Sequence, residues 1–288
     1  MTSCRARPSV ARPDLRPSTL FPLGDRPAGW TNSSLYRWGV RLGYLLSSSF
    51  VFVMWATDVR EFVGLNGYYR ARFVDMIYGR AFKPFVYRVL LPLCVRGLER
   101  LLPGQLVAFL REGVYARAPL VDRVMTYLGW EKEHLPEYIL ALMLAYLCLL
   151  GFMLALRRLT EHVYSADGWL VDAAPVIAIW VLPVFFKRGT HVIYDFVVLF
   201  LFTLSAYYLA RRRWGAFYAL LVVGNLNKET TILLSLIFFA LCFREMPRGR
   251  LLVHLAAQVW IFAVIRGSLM AIFAHNPGGL FETPFLEN

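Results

Sequence analysis

Between Trp214 and Phe243 the chain carries no charged residue except the adjacent pair Lys228 and Glu229, in Asn225-Leu226-Asn227-Lys228-Glu229-Thr230. An apolar run of this length belongs in a bilayer, where a central charge costs roughly 2.5–3.5 kcal/mol even on lenient insertion scales. Ionisable groups persist at such depth when they pair, face a cavity or bind something. The flanking charges then choose a geometry. Arg211, Arg212 and Arg213 precede the run, and Arg244, Arg248 and Arg250 follow it. Basic residues concentrate on one side of a membrane, so both ends belong to the same side and the run turns back near residues 225–229. Two full crossings need about 40 residues. This run is shorter, which predicts a re-entrant hairpin turning below the far surface and lining a cavity. The competing geometry is one long tilted helix that carries both charges through the bilayer centre.

The other apolar stretches are residues 38–57, 138–156, 169–186, 196–210 and 251–265. With the hairpin they predict an all-α polytopic transmembrane bundle of about seven spans. The composition agrees: 58% hydrophobic and 17% charged, against about 45–50% and about 25% in a soluble domain. Residues 1–35 are rich in Arg, Pro and Ser and lack an apolar core, which excludes a secretory signal and predicts a disordered basic tail. A single transmembrane domain is expected over 36–288. With the tail in the cytoplasm, every short basic loop except Lys187 and Arg188 falls on the cytoplasmic side. The predominance of Arg over Lys points to a high-GC bacterium, and so to its inner membrane.

Residues 58–136 form a long outer loop in this topology. Within it Leu91, Val95, Leu98 and Leu102 follow helical spacing while Arg96, Glu99 and Arg100 take another face. Too many charges interrupt this segment for a crossing, so it reads as an amphipathic helix lying in the interface. Tyr68, Tyr69, Tyr78 and Tyr87 suit an interfacial aromatic belt.

Several function classes are excluded. The net charge of +12 is scattered between apolar runs and forms no nucleic-acid-binding pattern. Cys4, Cys94, Cys148 and Cys242 have no metal-ligand spacing. No phosphate-binding glycine loop, dinucleotide fingerprint or nucleophile elbow is present.

The topology gathers the remaining polar residues at one face. Asp58, Glu61 and Asp75 follow the first span. Lys187, Arg188, His191, Tyr194 and Asp195 fill a short outer loop, and Asn225, Asn227, Lys228 and Glu229 form the turn. Arg266 and His275 follow the last span. Each also has a plain reading: Asp58 as a solvated helix end, Lys187 and Arg188 as headgroup anchors, Lys228 and Glu229 as a structural pair. Asp172 reads as a packing or snorkelling residue and His254 as a hydrogen-bonded packing histidine.

Three stretches carry a likeness: Pro84-Phe85-Val86-Tyr87-Arg88-Val89-Leu90-Leu91-Pro92, Tyr194-Asp195-Phe196, and Asn225-Leu226-Asn227-Lys228-Glu229-Thr230. Through them the chain resembles the C-type (GT-C) superfamily of polytopic membrane glycosyltransferases, nearest to bacterial members beside it. The resemblance implies a sugar transferred from a polyprenyl-phosphate-type lipid donor to an acceptor at the outer face of the bacterial inner membrane. It implies an outer-loop carboxylate as base: Asp58 first, with Glu61 or Asp75 as substitutes. The family's paired acidic signature after the first span is replaced by Thr57-Asp58-Val59. Cations must meet the charge growing on the leaving phosphate, and Arg88, Lys187, Arg188, His191 and Lys228 are the candidates. Tyr194, Asp195, Asn227 and Glu229 would support them. No resident metal is demanded, although Asp58, Glu61 and Asp75 offer oxygen ligands for a divalent ion. The alternative is a non-catalytic polytopic membrane protein: a transporter, a lipid-handling protein or a complex subunit. A permeation path needs further mid-membrane charges, and the other spans supply only His254 and Asp172.

Overall fold

The computed structural model describes residues 33–58, 63–66, 68–164, 167–186 and 191–279. Of the sequence expectations, the basic tail, Glu61, Lys187 and Arg188 therefore lie outside the described residues. The fold is helical. Helix α1 (Ser34–Ala56) is capped by Ser33, whose side chain accepts from the Tyr36 N–H, and a two-residue strand β1 (Val63–Gly64) follows. Short helices make up the next segment: α2 (Phe73–Ile77), α3 (Leu90–Glu99), α4 (Gly104–Ala108), α5 (Val114–Arg117) and α6 (Pro119–Tyr127). Long apolar elements then dominate: α7 (Leu135–Val163), α8 (Gly168–Phe186), α9 (Tyr194–Ala210) after strand β2 (His191–Val192), α10 (Trp214–Asn227), α11 (Leu234–Cys242) and α12 (Arg248–Ile272).

Among the described residues, three helices are long and apolar enough to cross a membrane: α1, α7 with the turn before it, and α12. The others are shorter. α9 has 17 residues, which at 1.5 Å per residue is about 25 Å against a hydrocarbon core of about 30 Å. Large apolar side chains face outward on these helices, among them Trp38, Leu236, Val253 and Trp260. A lipid surround accounts for such exposure, which is unusual on a soluble monomer.

Contacts at the helix ends fix the directions. Trp55, near the end of α1, packs edge-on against Phe196 at the start of α9, with centroids 4.9 Å apart. Strands β1 and β2 pair in parallel, Val63 opposite His191, so the exit of α1 meets the α8–α9 connection. At the other extreme the Tyr36 hydroxyl donates to Asp172 near the start of α8, at 2.9 Å. Arg157, late in α7, reaches the same carboxylate at 2.5 Å. α7 and α9 run the same way and lie close, because Gly151 presents no side chain: a Cβ there would stand 2.8 Å from the Phe200 ring.

The run from Trp214 to Phe243 is a hairpin, and the single tilted helix is excluded. At its open end Arg212 donates to Cys242 Sγ (3.1 Å) and ion-pairs with Glu245. Phe217 stacks on Phe238, centroids 6.1 Å apart. At its closed end Gly224 lets Thr231 approach, since a Cβ on Gly224 would lie 2.7 Å from Thr231 Cγ2. Lys228 takes an extended backbone (φ −155°, ψ 144°) that breaks the helix, and a 3-10 turn, Glu229–Leu233, leads into α11. With 14 residues, α10 rises only about 21 Å. That rise is less than the hydrocarbon core of about 30 Å.

The predicted amphipathic stripe is present: Leu91 and Val95 on α3 are buried, with Leu98 and Leu102 packed on the same core. A wholly buried carboxylate, Glu137 at the start of α7, fastens this segment down. It accepts from Tyr78 (3.3 Å) and Arg111 (3.2 Å) and meets His134 (3.3 Å), while Arg111 also reaches Glu99 at 2.6 Å. Along α6 the apolar side chains Leu120, Val124 and Tyr127 stay exposed at helical spacing, the pattern of a helix lying on a membrane surface.

The last span is longer than its apolar run implies. Arg266 is inside α12, not beyond it. After α12 the chain folds back on the Gly79–Ala81 turn. Asn276 donates to the carbonyls of Gly79 (2.8 Å) and Ala81 (3.0 Å), and Lys83 N–H donates to the Pro277 carbonyl (2.8 Å). That clasp holds the end of α12 against the segment carrying Tyr87 and Arg88.

Candidate functional site

The bend of the hairpin lies at the same end as the exit of α1, the α8–α9 connection and the close of α12, and charged side chains from four parts of the chain meet there. Lys228 ends α10 and donates to Asp195 Oδ1 at 2.8 Å. Asp195 sits in the first turn of α9. The cation is thus at a helix C-terminus and the carboxylate at a helix N-terminus, so both helix dipoles favour the pair. Asn227, itself buried, donates to the Tyr194 carbonyl at 3.2 Å and ties the bend to α9.

Glu229, the next residue, takes two arginines. Arg88 Nη2 lies 3.4 Å from Oε1, and Arg266 Nη2 lies 3.0 Å from Oε2. The arginine side chains are nearly sealed, at 2% and 6% exposed, while Glu229 keeps 41%. The cluster therefore opens on the carboxylate side. The Arg88 guanidinium also lies over the rings of Tyr194 (4.2 Å) and Phe85 (4.7 Å), and Lys228 Nζ lies 5.4 Å from the same Tyr194 ring. Tyr194 is thus an aromatic floor shared by two cations, a geometry that lowers the cost of desolvating them. Three cations, Lys228, Arg88 and Arg266, meet the carboxylates of Asp195 and Glu229.

Buried polar atoms here have capacity to spare. Arg266 Nε and the Tyr87 hydroxyl have no hydrogen-bond partner among the described residues, nor do the side-chain oxygens of Asn225 and Asn227. Burial pushes the Tyr87 phenol up, against the opposing pull of Arg266, so it remains a donor at neutral pH. Two unspent donors beside this cation cluster are suited to an oxyanion such as phosphate.

The site gathers Arg88, Lys228, Tyr194, Asp195, Asn227 and Glu229 from the sequence candidates. Asp58 is at the same end and half-buried, one turn beyond Trp55, which packs on the residue after Asp195. His191 is placed there by its backbone, in β2. Asp75 is not brought in: it lies on α2, 3.8 Å from Arg80, with no ion pair to Arg88, Lys228 or Arg266 among the described residues. Asp58 and Asp75 also do not join a third described ligand for a metal. The described groups close enough to share an ion are Glu131, Glu133 and His134, neighbours on one turn, with Glu131 already paired to Arg72.

Sequence reasoning gave two participants the wrong setting. Tyr87 is 2% exposed rather than part of an interfacial belt. Arg266 is a buried member of α12; its position on the helix face that meets the bend was the available signal. His254 behaves as expected: it meets the Tyr218 hydroxyl at 2.7 Å and packs against Trp214 and Phe238. Comparison with protein-family models, characterised proteins and solved structures finds no match to this chain.

Proposed function

We propose that the chain is a membrane glycosyltransferase that moves a sugar from a polyprenyl-phosphate-type donor to an acceptor hydroxyl, at the outer face of a bacterial inner membrane. The observation that carries the reading is the pair of nearly sealed arginines, Arg88 and Arg266, closing on the half-exposed Glu229 beside Lys228. In this reading α1 and α7 to α12 cross or enter the bilayer with the amino terminus in the cytoplasm. The donor tail lies against the apolar outer walls of the hairpin, and its phosphate displaces Glu229 from one arginine.

Asp58 takes the proton of the acceptor hydroxyl. The acceptor oxygen bonds to the anomeric carbon as the bond from that carbon to the lipid phosphate oxygen breaks. The electron pair goes to the phosphate, where Arg88, Arg266 and Lys228 meet the growing charge. No metal enters this scheme.

The test uses the full chain in detergent with a fluorescent polyprenyl-phosphate sugar. Saturable binding is expected, weakened at least about tenfold in Arg88→Gln or Arg266→Gln, since one charge-assisted hydrogen bond is worth about 1.5–3 kcal/mol. Asp58→Asn should keep binding and lose transfer. Equal binding by wild type and both arginine variants would reject the reading.

A second reading has its own support: each cation of the cluster already has a carboxylate within 3.4 Å. A clasp of that kind would serve a non-catalytic membrane protein, such as a transporter, a lipid-handling protein or a complex subunit. The same titration separates the two.

A further inference from the structure

The end of the bundle away from the bend carries a second charged feature. A cavity of about 370 Å³ opens between the start of α1, the last part of α7 and the start of α8. Ligand pockets begin near this size, at roughly 300 Å³. Arg37 and Arg41 reach it from successive turns of α1, and Arg157 and Arg158 from α7. Asp172 is the acid on its wall.

The wall is built rather than merely crowded. Asp172 is buried and fixed three ways. Its carboxylate accepts from Arg157 Nε (2.5 Å) and from the Tyr36 hydroxyl (2.9 Å), and its carbonyl accepts from the buried Tyr44 hydroxyl (2.9 Å). Asp172 is thereby committed to Arg157. Arg37, Arg41 and Arg158 make no ion pair among the described residues, so the cavity is lined by three exposed arginines with no carboxylate partner. Arginines from two helices line one concavity, a donor set suited to a tetrahedral oxyanion.

We infer that this cavity binds a phosphate ester, at the opposite end from the proposed transferase site and independently of that reading. The surroundings favour the headgroup of an anionic phospholipid over a soluble phosphate. Arg41 lies over the ring of Trp38, 5.4 Å from its centroid, and that ring is itself exposed. An exposed tryptophan with an arginine on its face marks the headgroup level. Leu154, on the cavity wall, and Leu35 and Leu42 nearby on α1 are exposed as well. Of these, Leu42 and Leu154 lie on the bilayer side of the arginines and offer an apolar path for acyl chains.

Native mass spectrometry of the full chain in detergent tests this. The probes are phosphatidylglycerol, phosphatidylcholine and sn-glycerol 3-phosphate. One phosphatidylglycerol should be retained in preference to phosphatidylcholine, with apparent affinity about tenfold lower in the triple variant R37Q/R41Q/R158Q. The control R213Q/R244Q/R250Q removes as many exposed cations from the same end outside the cavity, and should retain the lipid like the wild type. The single variant Arg158→Gln, at an exposed side chain, gives a smaller loss in the same direction and guards against misfolding of the triple variant. Retention of glycerol phosphate without phosphatidylglycerol keeps the phosphate site and makes its source soluble. Equal losses in the cavity and control variants, or no loss in either, would overturn the inference.

Discussion

Glu229→Gln is the sharpest perturbation of the bend, because one uncharged substitution strips two nearly sealed arginines of their shared anion. Removing one partner of a buried ion pair costs about 3–5 kcal/mol, since the other charge stays buried and uncompensated. Glu229 keeps 41% of its side chain exposed. Solvent therefore screens part of the interaction, and about 2–3 kcal/mol is the better expectation. For a chain of this size each kcal/mol moves the unfolding midpoint by roughly 2–4 °C, so the midpoint should fall by about 4–12 °C. Thermal size-exclusion of a fluorescent fusion in detergent reads this directly. Arg266→Met in the same background should recover part of the loss, because it removes one of the stranded charges. The two single changes will then not sum to the double, a coupling of about 0.5–3 kcal/mol. A Glu229→Gln midpoint indistinguishable from the wild type would refute the shared-anion account, as would strict additivity with Arg266→Met.

Three further outcomes follow from the same geometry. Gly224→Ala should destabilise the hairpin by about 1–3 kcal/mol through overpacking on Thr231, 2.7 Å from the added Cβ, and Thr231→Ala should restore most of the midpoint. Burial and the neighbouring Glu137 carboxylate raise the Tyr78 phenol above its ordinary value of 10.0. The unfolded chain then ionises first, so this contribution to stability is complete below pH 10 and lost as the pH rises through the folded value; Tyr78→Phe should flatten that alkaline loss in a pH series of melts. Single cysteines at Asp58 and Asn276 should label from one side of sealed vesicles and cysteines at Arg158 and Arg213 from the other, and labelling of Asn276 and Arg158 from a common side would break the alternating arrangement.

The bundle was legible because its information is local. Run lengths, flanking arginines and the lone Lys228–Glu229 interruption determine where helices begin, where they end and that one run must fold back. The stripe on α3 was legible for the same reason, as helical spacing needs no knowledge of partners. What stayed hidden depends on which side chains meet across the fold. Tyr87 has the composition of an interfacial residue, and its burial depends on the end of α12, whose Phe273 ring lies 6.5 Å from it between centroids. Arg266 looked like the end of a span because a buried arginine in an apolar helix has no local justification. Its justification is Glu229, 37 residues earlier. Likewise Glu137 reads as an ordinary first-turn acid until Tyr78, Arg111 and His134 converge on it.

That distinction bears on whether the bend is a fastener or a binding site. Hydrophobic residues of similar volume often replace a buried ion pair with a gain of about 1–4 kcal/mol, so a purely mechanical bend has little need of Arg88 and Arg266. The contacts already made by Asn227, Gly224 and Thr231 hold α10 and the 3-10 turn to α9 and to each other. The arginines add to this an open carboxylate side, and Arg266 Nε and the Tyr87 hydroxyl are donors with no acceptor among the described residues. Each of those features is a cost to a fastener. Together they support the proposed oxyanion site, in which Glu229, semi-exposed and bridging both arginines, would hold the cluster until the ligand arrives.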